Sequence, residues 1–281
     1  MFAERCDVAA ICHLGRADTK AWAQNEFPGS AITDKLSDLL EDERIDAIAI
    51  ATPISTHAEI AALCLNAGKH TFVEKPLATT AAECTTLLQA AKERGLVLFT
   101  GHVFLYDPMF DELRRITKVD PVKQMKTSWH KYGTFQENLV WNLMTHELAL
   151  GIDLFGREPV GGRMLYRRGF VSETDAAAAE FSFGGGDDDL LVEIDRCAPA
   201  RNKSVTVTTG SGMILMWSDD TLFECEAERQ TPIFTRNDGE NSDPLTREIA
   251  SFERAVRLGE TPLTDGAFGL AVVTAVELLR G

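Results

Sequence analysis

Along the first hundred residues, short and wholly apolar runs take turns with longer amphipathic stretches. The first run is Val8-Ala9-Ala10-Ile11-Cys12, ending at His13-Leu14-Gly15, and an alanine-rich helical stretch from Thr19 to Glu26 follows it. The pattern then predicts a short helix from Ser37 to Leu40 and a buried strand from Ala47 to Ala51. A helix opens at Pro53-Ile54-Ser55-Thr56-His57, with Ser55 or Thr56 as its cap, and runs to Asn66, with Gly68 as its stop. A strand from His70 to Val73, a helix from Thr80 to Arg94 closed by Gly95, and a strand from Val97 to Thr100 complete the series. Strands apolar on both faces, spaced by helices, predict a parallel sheet covered on both sides.

The period changes after about Asp120. Val122 to Trp129, Arg163 to Phe170, Ala176 to Phe183, Leu190 to Arg196, Lys203 to Thr209 and Met213 to Trp217 read as longer, alternating strands, and the turn-rich Gly184 to Asp189 joins two of them as a hairpin. A helix at about 141 to 155 interrupts them, and a helix from Leu245 to Leu258 is expected to close the chain. The division predicted is an α/β domain over 1–102 and an α+β domain over 103–281, the latter with a mostly antiparallel open sheet. The C-terminal helix is expected to pack back on the first domain. An open sheet face seeks cover, so a homo-oligomer, dimer or tetramer, is expected.

Charge narrows the partners. With 28 Lys+Arg against 43 Asp+Glu the formal charge is −15, which repels nucleic acid and anionic membrane surfaces. Lysines and arginines inside a pocket therefore gain interest. The six cysteines, at 6, 12, 64, 84, 197 and 225, contain no C-x-x-C pair and no metal-ligand spacing. No apolar run approaches the roughly 18 residues that span a bilayer, and the first residues lack a signal layout. A cytoplasmic protein with no nucleic acid, membrane or metal partner is expected.

The most suggestive chemistry is Glu74-Lys75-Pro76, at the carboxyl end of a buried parallel strand, where open α/β sheets place their ligands. Proline after the lysine fixes the local backbone. From spacing alone Lys75 reads more readily as an ordinary surface lysine in a turn, and the wider pattern has to decide.

Ala51-Thr52-Pro53-Ile54-Ser55-Thr56-His57, then Ala67-Gly68-Lys69-His70-Thr71-Phe72-Val73-Glu74-Lys75-Pro76-Leu77-Ala78, then Gly101-His102-Val103-Phe104-Leu105-Tyr106-Asp107-Pro108 resemble the successive strand-end motifs of the Gfo/Idh/MocA oxidoreductases. The resemblance continues through Val140 to Leu148, Lys203 to Met213 and Pro262 to Leu270, covering nearly the whole chain. It is nearest to members that oxidise nucleotide-linked amino sugars. It implies a Rossmann-like first domain and a nicotinamide-dependent sugar dehydrogenase, using NAD or NADP, whose substrate is a sugar or nucleotide-sugar. In the catalytic roles it places Lys75, which stabilises the substrate oxygen and helps move its proton, His146, which performs or shares that step, and Asn142, where the family usually has aspartate. A secondary hydroxyl is a very weak acid, so a positioned base and oxyanion donors are what the reaction needs. A histidine simply satisfied within a helix is the plain alternative for His146. Thr52, Pro53, His57 and Glu74 fall on the cofactor side, together with His13 and Arg16 at the end of the first strand, where Arg16 would favour NADP. Tyr106 and His102 would border nicotinamide and substrate, although Tyr106 equally suits a buried packing role.

Two departures temper this. An Asp at 142, one turn before His146, would hold the imidazole, whereas Asn142 supplies no anion. The Gly-x-Gly-x-x-Gly turn of a dinucleotide fold is absent from the sequence, and Val8 to Cys12 corresponds to the second strand of such a fold, so its first strand is missing. Either that strand belongs to a longer chain, or this is a degraded paralogue serving as a catalytically inactive sugar-binding or regulatory subunit.

Overall fold

In the computed structural model, which describes residues 6–13, 17–133, 137–184, 186, 188–236 and 243–280, the apolar runs become strands and the amphipathic stretches become helices. The series is β1 (Ala10–Cys12), α1 (Ala17–Glu26), β2 (Ala31–Thr33), α2 (Leu36–Glu41), β3 (Ala47–Ile50), α3 (His57–Asn66), β4 (His70–Glu74), α4 (Ala81–Arg94) and β5 (Leu98–Gly101). All pairings among these strands are parallel, as expected. They form two sheets, β1-β2 and β3-β4-β5, so that β1 and β3 each keep one edge without a partner among the described residues. β2 is an element the sequence reading missed, because Ile32 alone gives it no apolar run.

Local chemistry sets the helix ends. Thr80 caps α4 by accepting from the Glu83 amide at 3.2 Å while Glu83 reaches back to the Thr80 hydroxyl at 3.0 Å, a reciprocal cap. Gly95 ends the helix at φ 65°, which a residue without Cβ adopts freely. The expected cap on α3 is not formed. A 3-10 turn, Ile54–Thr56, leads into that helix, and the Thr56 hydroxyl donates instead to the Pro53 carbonyl at 2.8 Å.

The second part contains α5 (Pro108–Thr117), β6 (Val122–His130), a π-helical turn (Val140–Met144), α6 (Thr145–Phe155), β7 (Gly161–Arg168), β8 (Ala176–Ser182), β9 (Asp189–Asp195), β10 (Asn202–Thr209), β11 (Ile214–Ser218), β12 (Thr221–Glu226), β13 (Arg229–Thr235), α7 (Pro244–Leu258) and α8 (Gly266–Glu277). Its eight-stranded sheet runs β13-β12-β11-β10-β6-β9-β8-β7, antiparallel at every step except β6 beside β9. The sequence reading missed α5, β12 and β13. β13 is a sheet edge carrying Pro232 and Arg229, residues that blunt pairing and also mask the alternation.

The chain does not close at Leu258, as expected, but at α8. That helix is almost entirely apolar, with no polar stripe to announce it, because it packs against α4, α6 and β5. The preceding segment also binds the first sheet: the Thr100 amide donates to the Thr264 carbonyl at 2.8 Å, and Phe99 bridges Asp265. A Cβ on Gly269 would sit 2.3 Å from the Thr100 hydroxyl, so this close approach needs glycine. One large apolar cluster runs from Phe72 and Phe99, stacked at 5.0 Å, through Leu105 and Phe110 into the eight-stranded sheet at Val192 and Val207. The carboxyl end of β4 therefore stands on a continuous core.

Candidate active site

β4 delivers Glu74 and Lys75 to its carboxyl end, and the Lys75-Pro76 peptide bond is cis. The lysine reaches across to the π-helical turn. Its Nζ donates to the Asn142 backbone carbonyl at 2.7 Å and to Asn142 Oδ1 at 3.1 Å. Around this contact lies a cleft of about 180 Å³ lined by Ala51, Thr52, Ile54, His57, Glu74, Lys75 and Glu137. Burial pulls Lys75 down from 10.5 to about 8; Glu74 and Glu137 oppose the fall and Lys131 adds to it. Glu74 in turn is raised by burial, against the pull of Lys75 and His57.

Asn142 does not take the place beside His146 that an aspartate one turn earlier would fill. The wide turn over Val140–Met144 alters the helical spacing between the two residues, and the Asn142 side chain turns to Lys75. His146 is buried, its ring edge-on to Phe104 at 4.9 Å and tilted on Trp129 at 5.2 Å, with no hydrogen-bond partner for Nδ1 among the described residues. Burial first, then the charges of Lys75, Lys203, His102 and Lys131, hold it well below the ordinary imidazole range. The imidazole is thereby held in its neutral form at neutral pH.

Of the other expected site residues, Thr52 and His57 line the cleft, with Pro53 between Thr52 and Ile54 in the same loop. His57 is itself almost fully buried and braces that loop: its Nδ1 lies 2.7 Å from the Pro76 carbonyl and its Nε2 2.9 Å from that of Thr52. Tyr106 is not brought to the cleft. It stacks on Phe99 in the core and its hydroxyl is bonded to that of Thr264 at 3.0 Å, the packing role it was equally suited to. His102 is fully buried, edge-on to Phe268 at 5.6 Å, and pulled down to about 3 by burial and by the Lys75 charge. His13 sits at the end of β1, its amide bonded to Thr33, and does not line the cleft. Arg16 lies outside the described residues.

Two buried residues were missed. Lys203, on β10, places its Nζ 2.7 Å from the Phe104 ring centroid and 4.1 Å from that of Trp129, the two rings that also flank His146. Its counter-ion is Glu147 at 3.7 Å, a carboxylate with no hydrogen bond among the described residues. Burial brings Lys203 down to about 7 and raises Glu147. Glu147 directly follows His146 in the sequence, which was the available signal; nothing local marked Lys203 as interior.

The arrangement can exchange a proton and stabilise negative charge on an oxygen placed between Lys75 and His146. For a dinucleotide cofactor the fit is partial. Ala51 and Thr52 line the cleft beside Lys75 at the end of β3, and with Glu74 they are the residues that would meet a nicotinamide ring and its ribose. The glycine-rich turn that would hold a pyrophosphate does not occur in the sequence.

Residues 2–102 match the oxidoreductase family with an NAD-binding Rossmann fold, Gfo/Idh/MocA. Over 253 residues the chain is 26% identical to UDP-N-acetylglucosamine 3-dehydrogenase of Acidithiobacillus ferrooxidans, an alignment covering 84% of this chain and 78% of that protein. Over 168 residues it is 30% identical to inositol 2-dehydrogenase of Paracoccus denitrificans, covering 57% and 50%. The solved A. ferrooxidans enzyme superposes with a TM-score of 0.88 at 24% identity over 99% of this chain and 90% of that one. GenD2 from gentamicin A biosynthesis, solved in complex with NAD, gives 0.82 at 19% over 98% and 86%. Among the described residues no helix is long and apolar enough to cross a membrane. The match over residues 2–102 and a fold shared almost end to end with these solved structures make the chain similar to the Gfo/Idh/MocA oxidoreductases.

Proposed function

We propose that this protein is a nicotinamide-dependent oxidoreductase acting on a ring hydroxyl of a sugar or nucleotide-sugar, with Lys75 and His146 as its proton-handling pair. The observation that carries the reading is the Lys75 ammonium, fixed by Asn142 beside the cleft, with a neutral His146 on the following helix whose Nδ1 has no partner among the described residues. The nicotinamide, when bound, accepts or returns the hydride. Thr52, Pro53 and Glu74 would hold its ring and ribose, with His57 bracing their loop. His146 takes the proton of the substrate hydroxyl, and Lys75 donates a hydrogen bond to the oxygen as negative charge develops on it. In this reading 1–102 is the cofactor half and 103–281 the substrate half of a cytoplasmic homo-oligomer that associates through the open sheet face. Nicotinamide fluorescence tests it: enhancement on mixing NADH or NADPH with the 281-residue chain, and turnover of UDP-N-acetylglucosamine or an inositol, are expected. Neither cofactor binding nor turnover in the chain with an upstream glycine-rich strand supplied would overturn the reading.

A second reading, a sugar-binding or regulatory subunit without catalysis, is favoured by Asn142, which gives Lys75 an amide where a carboxylate would hold its proton. The pH profile separates the two. A protonated Lys75 that falls to about 8 predicts kcat/KM flat at neutral pH and declining above about pH 8, since the ammonium is lost as pH rises through that value. Asn142→Asp adds an anion to the Lys75 contact, so the alkaline limb moves up by about one pH unit and turnover rises. An alkaline limb that stays in place in Asn142→Asp would show that Lys75 does not set it.

A further inference from the structure

The −15 charge of the chain makes an unpaired cationic pair at the mouth of the site conspicuous. β6 and β10 are antiparallel neighbours with His130 opposite Asn202 and Trp129 opposite Lys203, and Lys131 and Arg201 are the residues that directly follow and precede these two strand ends. Side chains alternate along extended chain, which puts Lys131 on the side of Trp129, and Arg201 on the side of Lys203. Those two inner residues are the ones that surround His146, Trp129 directly at 5.2 Å and Lys203 through their shared rings. The outer pair thus stands one side chain further out on the same face. The fields agree: the Lys131 charge acts on both Lys75 and His146, and that of Arg201 on Lys203.

Both residues are exposed, and among the described residues neither has a carboxylate within ion-pair distance. Most other arginines of the described chain are paired, Arg114, Arg157, Arg196, Arg236 and Arg247 among them. The carboxylates nearest in the fold are committed or turned elsewhere: Asp195 to the Cys197 amide, Glu147 to Lys203, and Glu137 to the wall of the cleft beside Lys75. Like charges close together cost stability, and among the described residues no carboxylate within ion-pair distance offsets that cost.

We infer that Lys131 and Arg201 form an anion site for the phosphate groups of a phosphorylated substrate whose sugar ring lies against Lys75 and His146. This rests on the sugar-dehydrogenase reading and narrows it to phosphate-bearing substrates, a nucleotide-sugar or a sugar phosphate. A planar guanidinium beside a flexible ammonium suits a diphosphate, one fork contact and one point charge.

The test uses inorganic pyrophosphate, followed by calorimetry on the full chain, in the parent and in Lys131→Met/Arg201→Met. Binding in the parent and a loss of about tenfold or more in the double variant are expected, with steep weakening as salt is raised. Both positions are exposed and like-charged, so the variant should melt no lower than the parent. No binding to the parent, or equal binding to both proteins, overturns the inference. Calorimetry needs no turnover, so a chain that binds pyrophosphate through this pair yet never transfers a hydride would sink the dehydrogenase reading alone. UDP-N-acetylglucosamine against glucose 6-phosphate, each assayed in parent and variant, distinguishes the two phosphate sources.

Discussion

Replacing Lys75 by methionine lowers kcat by about a thousandfold or more, because the substitution removes the oxyanion donor and with it one member of the proton-handling pair, leaving His146 to act alone. Methionine keeps most of the side-chain length, so the cleft between Thr52, Glu74 and Glu137 retains its shape. KM changes little, since the lost interaction forms fully only when charge has developed on the substrate oxygen. Stability moves the other way. The Lys75 ammonium is held in surroundings that pull it from 10.5 to about 8, so its folded form charges less readily than its unfolded one, and removing it leaves the melting temperature level or raised. Steady-state kinetics and thermal unfolding on the same preparation check both halves. A variant that turns over within tenfold of the parent removes Lys75 from the chemistry.

Lys203→Met has its largest effect on stability. It leaves the Glu147 carboxylate buried and without the cation that neighbours it, with no hydrogen bond among the described residues. Breaking a buried pair from one side costs about 3 kcal/mol, expected here as a fall of roughly 6–12 °C in melting temperature. The double variant Lys203→Met/Glu147→Leu regains most of the loss, because the pair then leaves together and the aromatic surround of Phe104 and Trp129 accepts both apolar chains. Histidine NMR supplies an independent readout. With the Lys203 charge gone, one of the positive fields on His146 disappears and the imidazole titrates at higher pH than in the parent. A single variant as stable as the parent, with no rescue to measure, would show that the pair carries no net energy.

The parallel part of the fold was legible because its strands are apolar on both faces and its helices end on glycines at the places a left-handed residue is needed. Gly68 and Gly95, both at positive φ, sit where the pattern put them. β2 was invisible because a three-residue strand has no period, and α8 because a mostly buried helix, apolar even at its more open positions Ala267 and Leu270, has no polar face to alternate with. At the site, Lys75 and His146 were visible as motif residues, but their mutual arrangement was not. The spacing of Asn142 and His146 reads as one helical turn, and only the wide turn at Val140–Met144 redirects Asn142 to Lys75. Lys203 was hidden for a related reason: a lysine in an alternating strand reads as outward-facing until aromatic rings from elsewhere in the chain are seen to enclose it. Side-chain partners that depend on segments 60 or 70 residues away are set by packing, which no local pattern encodes.

The join between β5 and the segment before α8 also orders events in time. The sheet that presents Lys75 is complete in sequence by Gly101, yet one edge of it is covered only by Thr264, Asp265 and the helix that follows them. During synthesis at ribosomal rates that edge waits roughly 10–35 s for its cover, with Phe99 and Leu98 exposed meanwhile. The nascent chain is therefore vulnerable to aggregation and proteolysis in that interval, and Lys75 reaches its final setting only as the last helix emerges.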